Sequence, residues 1–285
     1  MVEKALVLGG GGVTGIAWEI GILAGLADRG IDLTDAGVVI GTSAGSVVGV
    51  DVRSGASMAE LYEIQTRPPG TTEVFARMGL AVLMKYVRAM AFTRKPAVAR
   101  ARVGAMALRA RTESEEVRRQ VIESRLPTFE WPAGKLKITA VEAATGRFAI
   151  FDSASGVSLV DAVGASCAVP GIWPPVTIDG LRYIDGGLRS AANADLATGC
   201  ERIVVIAPLV QGFGNLESLA SQVRRLGEQG ARVTVVKPDK AAVAAIGRNV
   251  LDPSRRPDAA RAGHAQAASV AAEVGALWSG RTPTP

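Results

Sequence analysis

Two rhythms alternate along the chain. Residues 5–8 and 38–40 are uninterrupted apolar runs, the pattern of strands covered on both faces. Residues 136–141, 147–151, 202–207 and 232–236 read as further strands. Between them, helical spacing of apolar positions runs over 16–29, 44–54, 159–166, 216–228 and 258–277. Strands alternating with helices predict a three-layer α/β/α fold around a mainly parallel sheet.

Residues 77–125 break the rhythm, with methionines at 78, 84, 90 and 106 and no strand pattern. Pro68-Pro69-Gly70 before the stretch and Leu126-Pro127 after it mark boundaries. The expectation is one domain over residues 1–285, with 70–127 a basic helical insertion covering one mouth of the site. Between 77 and 125, twelve Arg and Lys stand against four Glu, while the whole chain carries only +5. That excess reads either as a solvated helix face or as a surface drawn to anionic membrane.

Composition narrows the chemistry. At 48% hydrophobic and 21% charged, the chain is neither disordered nor a disulfide scaffold. Cys167 and Cys200 are too few for a four-thiolate zinc site, and they suit a reduced, cytoplasmic protein with peripheral membrane contact as an option. His264 is the one histidine, which excludes mechanisms needing two. The uncharged stretch 37–50 holds four glycines and is too short to span a bilayer. Nothing calls for a metal, a cofactor or nucleic acid.

Three constellations carry chemistry. Gly9-Gly10-Gly11-Gly12-Val13-Thr14-Gly15 follows a strand and opens a helix, so its N–H groups and the helix terminus can hold an anion. Gly10, Gly12 and Gly15 also fit the dinucleotide fingerprint, but no acidic residue ends the second strand; the next is Asp51. At that place stands Gly41-Thr42-Ser43-Ala44-Gly45, a G-x-S-x-G elbow that would expose a nucleophilic Ser43 between strand and helix. The third is Tyr183-Ile184-Asp185-Gly186-Gly187, a turn preceded by the small-residue, proline-rich segment 165–175.

In this order the motifs resemble the patatin-like phospholipase family, over about residues 3–210. The resemblance implies a Ser-Asp dyad without histidine, with Ser43 as nucleophile and Asp185 as base. It also implies an oxyanion hole from Gly10, Gly11 and Gly12, with Gly15, Gly41, Gly45, Gly186 and Gly187 supporting the turns. Asn193 matches an asparagine that follows the D-G-G turn in that family, whereas Thr14 stands where many members carry Arg or Lys. The implied activity is hydrolysis of lipid carboxylic esters without cofactor. A catalytically silent lipid-binding protein of the same fold is the alternative, and a dinucleotide-binding protein using Gly10–Gly15 the weaker one. His264 remains open as a triad member by chain order, and Asp152 is the substitute base should Asp185 not serve.

Overall fold

Alternate side chains of β1 (Lys4–Leu8) enter opposite cores, Leu6 and Leu8 on one face and Ala5 and Val7 on the other, all fully buried. This double burial is why the run is continuously apolar. The computed structural model describes residues 3–68, 76, 79–90, 93, 95–209 and 217–280. The other strands are β2 (Val38–Thr42), β3 (Leu136–Glu142), β4 (Phe148–Phe151), β5 (Val176–Ile178), β6 (Leu181–Asp185), β7 (Arg202–Ile206) and β8 (Arg232–Val236). Along the sheet the order is β5-β6-β3-β2-β1-β7-β8, with β4 also paired to β3.

From β3 through β2, β1 and β7 to β8 every pairing is parallel. β4, β5 and β6 form an antiparallel corner that the apolar pattern did not reveal. β5 has three residues and joins β6 through Asp179 and Gly180, both at positive φ, 48° and 75°. An Asp-Gly pair favours this two-residue hairpin, but such short flanking strands leave no readable period.

The helices are α1 (Gly12–Ala27), α2 (Ala44–Arg53), α3 (Met58–Thr66), α4 (Leu80–Met90), α5 (Pro96–Leu108), α6 (Glu115–Glu123), α7 (Leu159–Ser166), α8 (Leu219–Glu228), α9 (Lys240–Ile246) and α10 (Arg256–Trp278). One core joins the Leu6 face to α1, α2, α3, α7 and α10; α8 closes the Val7 face through Leu219 and Leu226. α1 begins four residues earlier than its spacing predicted, because the glycine loop leads directly into it. It is buried almost all round. A Cβ on Gly21 would lie 2.2 Å from the Ala260 carbonyl oxygen, and one on Gly263 2.4 Å from that of Trp18, so α1 and α10 meet backbone to backbone.

The stretch expected to be helical holds α4, α5 and α6. Tyr86, Ala99, Val103 and Ala107 of α4 and α5 pack on Val141, Ala143, Ile184 and Leu188, beside the strand that ends at Asp185. Residues 70–75, 77–78, 91–92 and 94 of the expected insertion, residue 216 of an expected helix and the terminal 281–285 lie outside the described residues. Among the described residues, no helix is long and apolar enough to cross a membrane.

Candidate active site

Thr42 ends β2 and Ala44 begins α2, leaving Ser43 alone to make the turn. It does so at φ 52° and ψ −116°, a region that non-glycine residues adopt only when their surroundings enforce it. The enforcement is visible. The Ser43 N–H donates to Ser166 Oγ at 2.8 Å, and the Ser43 carbonyl accepts from Ser46 Oγ at 2.6 Å and from Cys167 Sγ at 3.4 Å. A Cβ on Gly41 would stand 2.5 Å from the Gly45 carbonyl oxygen, and one on Gly45 2.1 Å from that of Leu8. Neither distance is tolerable, so both elbow glycines are steric requirements.

Sheet register brings in the partner. Thr42 lies opposite Thr139 on β3, and Asp185 opposite the next residue, Ala140. The end of β2 and the end of β6 therefore meet at consecutive positions of one strand. The Asp185 carboxylate accepts from the Gly187 N–H at 2.7 Å, and the Ser43 side chain lies close enough to influence its titration. Burial pushes its pKa up to about 6, while Ser43 and the Gly187 N–H pull the other way. Gly186 has no room for a side chain, since a Cβ would fall 2.3 Å from Thr139 Oγ1.

Asn193 ties these pieces together from a fully buried, left-handed position at φ 51°. Its amide donates to Thr42 Oγ1 at 3.1 Å, to the Ser190 carbonyl at 3.0 Å and to the Gly186 carbonyl at 3.3 Å, while its oxygen accepts from Arg189 at 2.9 Å. One side chain thus braces the strand before Ser43 and the turn after Asp185.

The glycine loop lies against the elbow: a Cβ built on Gly10 would be 3.7 Å from that of Ser43. One expected donor is otherwise engaged. The Gly10 N–H donates to the Ala191 carbonyl at 2.8 Å, which ties the loop down. Among the described residues the N–H groups of Gly11 and Gly12 have no acceptor, and they stand at the amino end of α1. Gly12 is at φ +61°, and a Cβ on Gly11 would strike Pro208 at 2.6 Å. Beneath the loop, fully buried Glu19 accepts from the Gly9 N–H at 2.9 Å, and burial holds its carboxyl well above the usual range.

The other candidate residues fall elsewhere. His264 faces Asp28 at 2.8 Å and stacks on Tyr62, on the α1–α3–α10 side. Asp152 follows β4 beside the starts of β2 and β3, the opposite end of the sheet from Ser43, and caps its own turn through the Ala154 N–H. Asp32 accepts from the Thr34 N–H and Asp161 from Ser158 Oγ, both local turn or cap bonds, and Asp35 holds Lys4 and the Trp278 indole. Tyr86 of α4 reaches the Pro170 carbonyl at 3.2 Å and lies close enough to Asp185 to feel its charge. Ser166, Glu19, Thr42 and Thr139 belong to the site's support but carry no local sequence signal.

The fold is thus a mainly parallel α/β one, with a serine at a strained strand-to-helix elbow close to a buried carboxylate and to the amino end of a helix. The patatin-like phospholipase profile matches residues 6–198, more than half of the chain, and the chain belongs to that family, a family of lipid acyl hydrolases. No curated protein matches it. Among solved structures it is similar to VipD from Legionella pneumophila, at 14% identity over 97% of this chain and 67% of that one, with a TM-score of 0.49. It is also similar to the type III effector protein ExoU, at 17% identity over 96% of this chain, with a TM-score of 0.44; this chain spans 53% of that one.

Proposed function

We propose that this protein hydrolyses carboxylic esters of lipids through an acyl-enzyme on Ser43, with Asp185 as the base. The observation that carries the reading is the approach of Ser43, at the strained elbow, to the buried Asp185 carboxylate, whose pKa the serine side chain lowers.

In the first half-reaction Ser43 Oγ bonds to the ester carbonyl carbon while its proton passes to Asp185. The carbonyl oxygen takes up negative charge facing the Gly11 and Gly12 N–H groups and the positive end of α1, where each donor typically contributes about 3 kcal/mol. Collapse breaks the ester C–O bond, and the departing alkoxide takes the proton from Asp185. In the second half a water gives a proton to Asp185 as its oxygen attacks the acyl carbon. Collapse then releases the carboxylic acid and returns the proton to Ser43. A carboxylate with its pKa pushed up to about 6 is a stronger base than an exposed aspartate and is still mostly ionised at neutral pH.

A fluorophosphonate probe and a panel of p-nitrophenyl esters and phospholipids, run on wild type and Ser43→Ala, test the reading. Wild type should be labelled and should turn over the esters, and Ser43→Ala should do neither with its fold intact. Turnover retained in purified Ser43→Ala sinks the nucleophile assignment. An unlabelled, inactive wild type favours the silent lipid-binding alternative.

A further inference from the structure

Among the described residues, no counterion pairs with Arg118 of α6, a buried cation. Its residue is 5% exposed, yet its Nε and Nη1 have no hydrogen-bond acceptor, and its guanidinium lies 4.0 Å from the centre of the Trp173 ring. Burial and the like charge of Arg125 push its pKa down to about 9. A cation over an aromatic face is stabilised, but its N–H groups still need acceptors, and a buried charge lacking them is costly.

The side chain lines a cavity of about 120 Å³ between α6 and α7, walled by Arg119, Ile122, Val160, Gly164 and Pro174. Three acids, Glu115, Glu116 and Asp161, also line it, and two of them are committed to other partners. Glu115 accepts from the Thr177 N–H and hydroxyl and pairs with Arg182 at 3.8 Å, Asp161 pairs with Arg119 and Ser158, and Glu116 is exposed. We propose that this cavity binds a small oxyanion of the phosphate class, held by the Arg118 guanidinium. The planar fork of an arginine matches phosphate oxygens, and the volume is well below the ~300 Å³ at which pockets take drug-sized ligands. Free inorganic phosphate and the phosphate of a phospholipid headgroup share this chemistry.

The cavity is mechanically linked to the elbow. α7 supplies Val160 and Gly164 to its wall and ends at Ser166, whose hydroxyl holds the Ser43 N–H; the next residue, Cys167, touches the Ser43 carbonyl. Anion binding itself rests on Arg118 and the cavity, not on the hydrolase reading, so its test does not depend on turnover.

Thermal unfolding of wild type and Arg118→Met, with inorganic phosphate or chloride at matched ionic strength, is the measurement. Wild type should gain roughly 5–10 °C at phosphate about a hundredfold above Kd. Arg118→Met should not respond, and without phosphate it should be at least as stable as wild type, because an apolar chain then replaces an unpaired charge. Calorimetry with Arg118→Lys, which keeps the charge but not the fork, should give phosphate binding at least tenfold weaker. Short-chain phosphatidic acid below its micelle concentration separates the sources: displacement of phosphate supports a headgroup, and phosphate binding without displacement supports the free anion. Equal responses in wild type and Arg118→Met, or no response of wild type to either ligand, overturns the proposal.

Discussion

Ser43 and Asp185 come from elements roughly 140 residues apart and meet because Thr42 and Asp185 oppose consecutive residues of β3. Since the base must be ionised, kcat/KM should rise with pH through about 6 and level above it, the limb following the Asp185 carboxyl. Asp185→Asn should lose roughly 10²–10⁴-fold and the acid limb with it. His264→Ala should stay within a few fold of wild type, as its partners are Asp28 and Tyr62; a loss on the order of 10³ in steady-state assays would restore a triad. The residues of this centre that were legible in the sequence sit in turns whose glycines are local steric demands. Asn193 was visible only through the family resemblance. Its partners Thr42 and Thr139, like Ser166 and Glu19, were not legible, since their roles arise from hydrogen bonds between strands and helices distant along the chain.

The elbow and the glycine loop respond differently to one added methyl group. Gly45→Ala would place carbon 2.1 Å from the Leu8 carbonyl oxygen, so β1 and α2 must separate. We expect a loss of about 3 kcal/mol or more in denaturant unfolding, as for strained core substitutions. Gly10→Ala meets nothing closer than 3.6 Å and should fold, yet its methyl sits 3.7 Å from the Ser43 Cβ and should lower turnover by narrowing the approach to the hydroxyl. Activity and stability measured on both variants would separate the roles, and a stable, active Gly45→Ala would contradict the packing. Long or doubly buried elements such as β1, β2, α2 and α10 were legible from period and run length. The β5–β6 hairpin was not, because its strands are short and one face carries polar residues such as Thr177 and Arg182.

Buried acids give the molecule as a whole an acid-side stability optimum. Burial pushes the Asp51 carboxyl up to about 8 and Glu19 in the same direction. Between about pH 4 and pH 8 the folded state keeps a proton on Asp51 that the unfolded chain has lost, so stability falls as pH rises through that window. At about 1.4 kcal/mol per unit the cost at pH 8 is on the order of a few kcal/mol. Asp51→Asn should therefore flatten the midpoint-versus-pH curve, raising it at pH 8 far more than at pH 5, and an unchanged slope would contradict the burial argument. On the surface, α4 and α5 expose Met84, Val87, Val98 and Leu108 beside exposed Arg88, Arg102 and Arg109. We propose that this basic, apolar face meets anionic lipid; sedimentation should show stronger binding to anionic than to neutral vesicles at low salt, with the difference lost at high salt. Equal sedimentation would leave a soluble ester as the substrate. The backbone contact of α1 with α10 has a consequence in time. Roughly 230 residues separate Ala27 from Arg256, so at about 5–20 residues per second a ribosome needs on the order of ten to fifty seconds to supply the partner of an apolar helix already emerged. During synthesis the strand and loop that flank the nucleophile wait for a distant segment, and the nascent chain is a client for any chaperone that recognises a bare hydrophobic helix.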